Sequence, residues 1–273
     1  IADACSWLGR ISERQGALTD AVLNYRESAI YREQLLAESP DHSGRKFWFI
    51  VASAFSADML AISGRVDEAA ETYARLIPLQ AGMVDADPEN REFQRYLARL
   101  QVDSAELSAA QAVTADSSNA LAVVDEAILV LESLLRAEPD DRRVKAALVK
   151  ANRVAATLYL LDNRSDRAAE FSSIALENIS AEQIDAALVR EMGAALVVAI
   201  MAQPEPVNDR GARLQEQISL FRQEARETRD PRTLDALARI AALNGDREQA
   251  LAIFQTLDQA GYEPIWDWPE QLH

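Results

Sequence analysis

The stretch GRVDEAAETYARL, residues Gly64 to Leu76, contains a spacing that recurs along the chain. Ala69 follows the glycine by five positions, Tyr73 follows the alanine by four, and Leu76 comes three positions later. On a helix these three side chains lie on one face, about one turn apart. The small alanine allows a neighbouring helix to approach closely, and the residues after it fill the space between paired helices. The glycine can adopt the left-handed conformation that ends the preceding helix.

The same spacing occurs at four other places in the sequence. They are Gly16, Ala21, Tyr25 and Ser28; Ala115, Ala120, Val124 and Ala127; Asn163, Ala168, Ser172 and Ala175; and Gly245, Ala250, Phe254 and Leu257. A polar residue followed by proline is a second marker, at Ser39–Pro40, Asp87–Pro88 and Glu138–Pro139. Gly16 and Gly64 are 48 residues apart. The successive prolines are 48 and 51 residues apart. Because two independent markers share a period, the sequence predicts an internal repeat.

The residues at the ends of the repeats predict where helices stop and start. We expect left-handed backbone at Gly16, Gly64 and Gly245, with Asn163 in the same role. We expect each of the three prolines to open the next helix, at a first-turn position where its missing N–H is not needed. Asp87 is then the expected N-cap of the third pair of helices. Asp246 and Gln249 resemble a capping box at the last helix.

The composition favours helices and limits the kinds of partner. Of the 273 residues 49% are apolar and 26% charged, and the long runs are rich in good helix formers. No sustained alternating run of β-branched residues occurs, so we expect no strands. The formal net charge of −16 opposes binding to nucleic acids or to anionic membranes. No apolar run reaches the roughly 18 residues of a spanning helix, so we expect no direct membrane insertion of this segment.

The sequence contains no recognisable catalytic or metal-binding motif. Cys5 is the only cysteine, so neither an internal disulfide nor a four-cysteine metal site is possible. The two histidines, His42 and His273, stand apart, and the common hydrolase, nucleotide-binding and zinc-protease motifs are missing. The acidic pairs in DPEN and EPDD lie at predicted helix starts, where they complement the helix dipole. We therefore predict that this chain is not an enzyme and uses no metal or cofactor.

The repeat resembles the tetratricopeptide repeat (TPR). In the last unit Leu234, Leu237 and Ala238 precede Gly245 at the ordinary TPR spacing. The first three units exceed the usual length of about 34 residues because the second helix continues, as in LTDAVLNYRESAIYREQLLAESP. Such units resemble the TPR arrays that follow the kinase domain in bacterial serine/threonine protein kinases, and arrays in other multidomain bacterial regulators. The resemblance implies an all-α, right-handed superhelical solenoid of helix-turn-helix repeats.

The predicted array is a single domain with six helical pairs and a cap. The units are about 1–39, 40–87, 88–138, 139–180, a degenerate pair 181–230, a final unit 231–261 and a C-terminal cap 262–273. In the degenerate pair we expect one apolar helix, a break at QPEPVND, and an amphipathic helix with Leu214, Ile218 and Phe221 on one stripe. The cap contains Trp266 and Trp268 and is expected to cover the apolar end of the stack.

The resemblance also implies a binding groove lined by the first helix of each unit. Mapping the groove positions of the family onto this sequence gives Arg10, Glu13, Arg14, Asp58, Ala109, Lys150, Arg153 and Thr157. The basic members could bind a carboxylate or an acidic peptide through charge-assisted hydrogen bonds. The alternative is that these residues are solvated surface.

The aromatic run KFWFI, residues 46–50, is a second candidate contact surface. Phe47, Trp48 and Phe49 are consecutive, so a helix cannot direct all three toward one core. We expect at least one of them to contact the adjacent unit, a partner or a second copy of the chain.

The resemblance, together with the absence of catalytic motifs, implies a non-catalytic interaction or regulatory sensor module of a larger bacterial signalling protein, docking a peptide or protein segment in the groove. One alternative is a small-ligand sensor of a membrane-anchored kinase or regulator, with a pocket near the helices of 181–230. The other is a structural spacer or a homodimerising element. The chain opens within a helical pattern and without an initiator methionine, so we expect a portion of a longer protein. The sequence leaves the compartment open, and this soluble domain is expected in the cytoplasm or the periplasm.

Overall fold

A computed structural model describes residues 1–111, 118–179, 184–203 and 211–265, with side chains for all of these except 109–111. Within these ranges every regular element is an α-helix, which confirms the expected all-helical class. The helices are α1 (Ala2–Arg14), α2 (Leu18–Ala37), α3 (Ser43–Ala61), α4 (Val66–Ala86), α5 (Arg91–Gln111), α6 (Ser118–Ala137), α7 (Arg142–Leu161), α8 (Ser165–Glu177), α9 (Ala186–Ala202), α10 (Ala212–Glu224), α11 (Pro231–Leu243) and α12 (Arg247–Gln259). None of these described helices is both long enough and apolar enough to cross a bilayer.

The helices pack in the order of the chain. From α1 to α10 each helix contacts the next, and α11 packs on both α9 and α12. The odd-numbered helices also contact one another, α5 with α7, α7 with α9, and α9 with α11. These helices therefore form a continuous layer that carries the candidate site.

The repeated spacing forms the contact between paired helices. The alanines five positions after the turn, Ala21, Ala69 and Ala168, are completely buried. Tyr25 and Tyr73, four positions later, are buried as well, and they fill the space that the alanines leave. The spacing therefore marks the face on which each second helix meets its neighbours. Ala115, which begins the copy that lacks a glycine, lies outside the described residues.

The left-handed turns occur where the sequence predicted them. Gly16, Gly64 and Gly245 have φ values of 74°, 75° and 83°, and Asn163 has a φ of 57°. After each of them the next N–H donates to a carbonyl five residues earlier, as from Arg65 to Leu60 at 2.9 Å. This bond satisfies a carbonyl that the end of the helix leaves free. The predicted helix ends are thus confirmed.

The prediction that each proline opens the next helix was wrong. Pro40, Pro88 and Pro139 each lie three residues before the helix, second in a four-residue turn closed by a 3.1 Å backbone hydrogen bond. The fixed φ of proline suits this turn position. The fourth residue of each turn then accepts a hydrogen bond from the first turn of the helix, as in His42, Asn90 and Asp141.

Two predictions about helix caps had different outcomes. Asp87 is the C-cap of α4, and the side chain of Asn90 accepts from Phe93 N at 3.2 Å, so naming Asp87 as the N-cap was wrong. Asp246 does cap α12, because its side chain accepts from Gln249 N at 3.1 Å. In the three proline turns the capping residue comes two positions after the proline, whereas at α11 the N-cap Asp230 directly precedes Pro231.

The degenerate pair provides the most apolar helix of the layer. Most of α9 is buried, and it contacts α7, α8, α10 and α11. On α10 the predicted stripe of Leu214, Ile218 and Phe221 is buried, as expected. This pair therefore joins the first four helical pairs to the last one.

Candidate functional site

Charged side chains from the odd-numbered helices converge on one buried region, here called the central network. Its members are Glu13 on α1; Asp58 on α3; Arg99, Asp103 and Glu106 on α5; Lys150 and Arg153 on α7; Arg190 and Glu191 on α9; and Asp230, Arg232, Asp235 and Arg239 at or in α11. Each of these side chains is at most 25% exposed. Buried charges are costly unless they are paired, and each of these has at least one ion-pair partner of opposite sign.

Arg153 connects three helices within the network. Its guanidinium bonds both carboxylate oxygens of Glu106 on α5, and its Nε donates to Glu191 on α9 at 2.9 Å. Burial disfavours the charged guanidinium, but the two carboxylates outweigh burial and raise the pKa of Arg153. Burial likewise opposes ionisation of Glu191, yet the charges of Arg153 and Lys150 lower the pKa of Glu191. Both groups therefore stay charged at neutral pH.

Two carboxylates and two cations connect α3, α5 and α7. Asp58 accepts from the hydroxyl of Tyr73 at 2.6 Å and pairs with Arg99 at 3.0 Å. Asp103 pairs with Lys150 at 2.5 Å and with Arg99 at 3.4 Å. Burial raises the pKa of Asp103, whereas at Asp58 the charges of Arg99 and Lys150 outweigh burial and lower the pKa. The two carboxylates thus share the same cations unequally.

Glu13 brings the first helix into contact with the last ones. Its carboxylate pairs with Arg190 on α9 at 2.5 Å and with Arg232 on α11, and it accepts from Tyr25 Oη at 2.8 Å. Arg190 also pairs with Asp230, the N-cap of α11, at 3.1 Å. Glu13 and Arg232 are 219 residues apart in the sequence. The array therefore curves until its two ends meet across the network.

The chain itself enters the centre of this region after α12. Gly261 takes a φ of 67°, and residues 262–265, here called the inner segment, leave the helix. The N–H of Glu263 donates to the carbonyl of Ile62 at 2.9 Å. Ile265 packs against three apolar clusters, contributed by α2 and α3, by α3–α5 and by α5–α9. Tyr262 packs on the first of these clusters as well, and its N–H donates to the carbonyl of Leu257 on α12 at 3.0 Å. The inner segment is therefore held on the layer by the main-chain bond of Glu263 and by the side chains of Tyr262 and Ile265.

Two adjoining cavities of about 100 and 70 Å³ remain beside the inner segment. They share six lining residues, Ile62, Glu106, Arg153, Glu191, Arg232 and Ile265. The lining combines charged network groups with apolar atoms of the inner segment. Each cavity has room for a few water molecules and is smaller than a usual ligand pocket of roughly 300 Å³ or more.

The predicted groove residues fall into two groups. Asp58, Lys150 and Arg153 belong to the central network, as does Glu13; Thr157 lines the larger cavity and donates its hydroxyl hydrogen to the carbonyl of Arg153. Arg10 and Arg14 are exposed on α1, and Arg10 lies over the ring of Phe55, which Arg99 of the network also faces. The side chain of Ala109 lies outside the described residues.

Sequence reasoning missed most members of the network. Asp103 and Glu106 follow apolar residues in LQVDSAEL, and their position among buried neighbours was the available signal. The same holds for Arg190 and Glu191, at the start of an apolar helix. A charge within an apolar helical face indicates a buried pair, but the partner cannot be read from one helix.

The aromatic run on α3 is divided between the interior and the surface. Phe47 is buried against Phe93 and Tyr96 of α5, with ring centroids 5.4 and 5.3 Å apart. Phe49 is also buried, whereas Trp48 is 51% exposed. Phe47 therefore packs between successive helical pairs, and Trp48 faces outward.

In the part of the chain that the structure describes, no group of three or more His, Cys, Asp or Glu side chains is placed to hold a metal ion. Trp266, Trp268 and His273 lie outside that part. No protein-family model matches the chain, and a search of curated proteins gives no match. The geometry of the network and of the inner segment is therefore the basis for a functional proposal.

Proposed function

We propose that this chain is a non-catalytic binding module that docks an extended peptide segment on the layer of odd-numbered helices. The supporting observation is the inner segment, which lies on that layer much as a bound peptide would. Main-chain hydrogen bonds and side chains held in pockets are the contacts by which extended peptides are commonly bound. In this proposal residues 262–265 occupy the surface until a partner replaces them.

The packing around the inner segment supports a partner peptide that replaces this segment and does not bind beside it. The two remaining cavities are too small for a peptide, so the inner segment must leave before a partner segment can enter. A tethered segment competes with an effective concentration on the order of 1 mM. A partner must therefore bind more tightly than the inner segment does, which would make the module regulated by its own chain.

The wider assignment remains a proposal based on the sequence resemblance. We infer a right-handed, TPR-like superhelix, supported by the helical pairs and by the left-handed turns at the repeat positions. We likewise propose that the module belongs to a larger bacterial signalling protein. A small-ligand sensor is the second candidate, favoured by the position of the larger cavity beside α9.

The proposal can be tested with a fluorescein-labelled peptide of residues 258–265, DQAGYEPI, added to the whole chain. In the variant Ile265→Asp the inner segment should leave, because it would otherwise bury a carboxylate among apolar groups. Fluorescence anisotropy should then show peptide binding at least about tenfold tighter than to the wild type. Leu251→Asp is the matched control, since Leu251 on α12 is 59% exposed, and it should bind like the wild type.

A scrambled peptide should bind to none of these proteins. Equal affinity for wild type and Ile265→Asp, or no binding to either, would contradict docking on this surface. Binding of a small molecule that raises the melting temperature of the wild type without releasing the inner segment would favour the sensor instead.

A further inference from the structure

A second cleft lies between α1 and α3, where α2 forms its floor. Its volume is about 170 Å³, and no described residue lines both this cleft and the cavities of the central network. Trp7, Trp48 and Phe55 provide its aromatic walls, and Arg10, Arg32 and Asp3 provide its charges. One wall of the cleft, Phe55, packs on the same apolar cluster as Tyr262 and Ile265 of the inner segment.

The aromatic walls of the cleft are exposed to solvent. Trp7 is 63% exposed and Trp48 is 51% exposed, although both are large apolar side chains. Tryptophan and arginine are the residue types most enriched among those that contribute most to binding between proteins. A partner that covered these two rings would remove a large apolar area from water.

The cations of the cleft are positioned by these rings. The Cζ atom of Arg10 lies 5.3 Å from the ring centroid of Trp7 and 5.6 Å from that of Phe55. Arg32 lies 5.5 Å from the ring of Trp48 and also pairs with Asp3. Arg10, in contrast, forms no ion pair with any described residue, in a chain whose net charge is −16. Its N–H groups are therefore free to bind a carboxylate, while the stacked rings hold the guanidinium in place.

We propose that this cleft binds an acidic peptide segment of a partner protein. A carboxylate of the segment bonds Arg10, and an apolar side chain beside that carboxylate lies between Trp7 and Trp48. Stacked tryptophan and arginine side chains can also bind nucleic-acid bases. The excess of 44 acidic over 28 basic residues repels a continuous polyanion more than a short peptide with few charges, so we favour the peptide.

The test uses the whole chain and a fluorescein-labelled octapeptide of alternating glutamate and leucine. We expect Arg10→Gln to weaken binding at least about tenfold in fluorescence anisotropy, because the charge-assisted pair is lost. Trp7→Ala should weaken binding similarly. The matched control is Arg26→Gln, which removes the same charge from an exposed position of α2 outside the cleft, and it should change the affinity less than about twofold.

Four results would overturn the proposal. The first is the absence of peptide binding to the wild type. The second is an equal loss of affinity for Arg10→Gln and Arg26→Gln. The third is equal binding of a peptide with glutamine in place of glutamate. The fourth is displacement of the peptide by an equal concentration of oligothymidylate, which would assign the cleft to nucleic acid. Melting curves of the variants check that each has kept its fold, and the exposure of Arg10 predicts that it has.

Discussion

At the scale of single residues, two glycines in helices have opposite surroundings. A Cβ added at Gly193 on α9 would lie 2.6 Å from Phe221 Cζ and 2.8 Å from Ala236 Cβ. A Cβ added at Gly82 on α4 would meet no atom within 4 Å. Gly193 therefore permits the close approach of α10 and α11 to α9, whereas Gly82 has no packing role.

This contrast predicts opposite effects of the same substitution. Gly193→Ala should lower the free energy of unfolding by about 1–2 kcal/mol, because the overlap exceeds the gain of about 1 kcal/mol in helix propensity. Gly82→Ala should raise the free energy of unfolding by about 0.5–1 kcal/mol. Urea unfolding followed by circular dichroism measures both. Stabilisation of both variants would show that the three helices do not approach as closely as described.

At the scale of helices, charge pairs bind the odd-numbered layer together in addition to apolar packing. The contacts of Arg153 with Glu106 and Glu191 join α5, α7 and α9 at one point. The side chain is 8% exposed, so removal of its charge leaves two carboxylates poorly compensated in the interior. On the same helix Arg143 pairs with Glu92 while 74% exposed, where water screens the interaction.

We therefore predict that the two arginines of α7 differ strongly in their effect on stability. Arg153→Gln should reduce the free energy of unfolding by about 3 kcal/mol or more, and Arg143→Gln by less than about 0.5 kcal/mol. Chemical unfolding of both variants at pH 7 gives the comparison. Replacing Glu106, Arg153 and Glu191 together by Gln, Met and Gln should recover part of the loss. Similar values for the two single variants would contradict a buried bridge at Arg153.

At the scale of the whole molecule, contact between the ends stabilises the curvature of the array. Glu13 is the only residue of α1 in the described network, and it pairs with cations of α9 and α11. In a helical array in which each repeat contacts only the adjacent repeats, small changes at every contact can add up to a large bend. A contact between the two ends restricts that bending. Loss of this contact should change the dimensions of the molecule more than its helix content.

The variant Glu13→Arg should open the array, since a third positive charge would then face Arg190 and Arg232. Small-angle X-ray scattering should give a larger radius of gyration than for the wild type, with far-ultraviolet circular dichroism nearly unchanged. Glu33→Arg, at an exposed position of α2, is the matched control and should leave the radius of gyration unchanged. An unchanged radius for Glu13→Arg would mean that other contacts close the array.

Prediction from the sequence succeeded where the signal is local. The left-handed positions at Gly16 and Asn163 and the stripe on α10 depend on the identity of a few neighbouring residues, so a single repeat was enough to find them. The prediction for the prolines was wrong because proline is accepted both at the second position of a tight turn and in the first turn of a helix. Only the hydrogen bonds across 39–42, 87–90 and 138–141 distinguish the two.

The amino-acid sequence by itself determined the helical class, the turns between paired helices and the small residues at their contacts, because each depends on spacing along one helix. The tertiary structure alone decided that Glu13 meets Arg232, that Arg153 lies in the interior and Arg10 on the surface, and that residues 262–265 return to the centre. The physical reason is that these pairings depend on the summed curvature of many helix crossings. A small angle at each crossing decides which distant charges meet, and no local pattern encodes that sum.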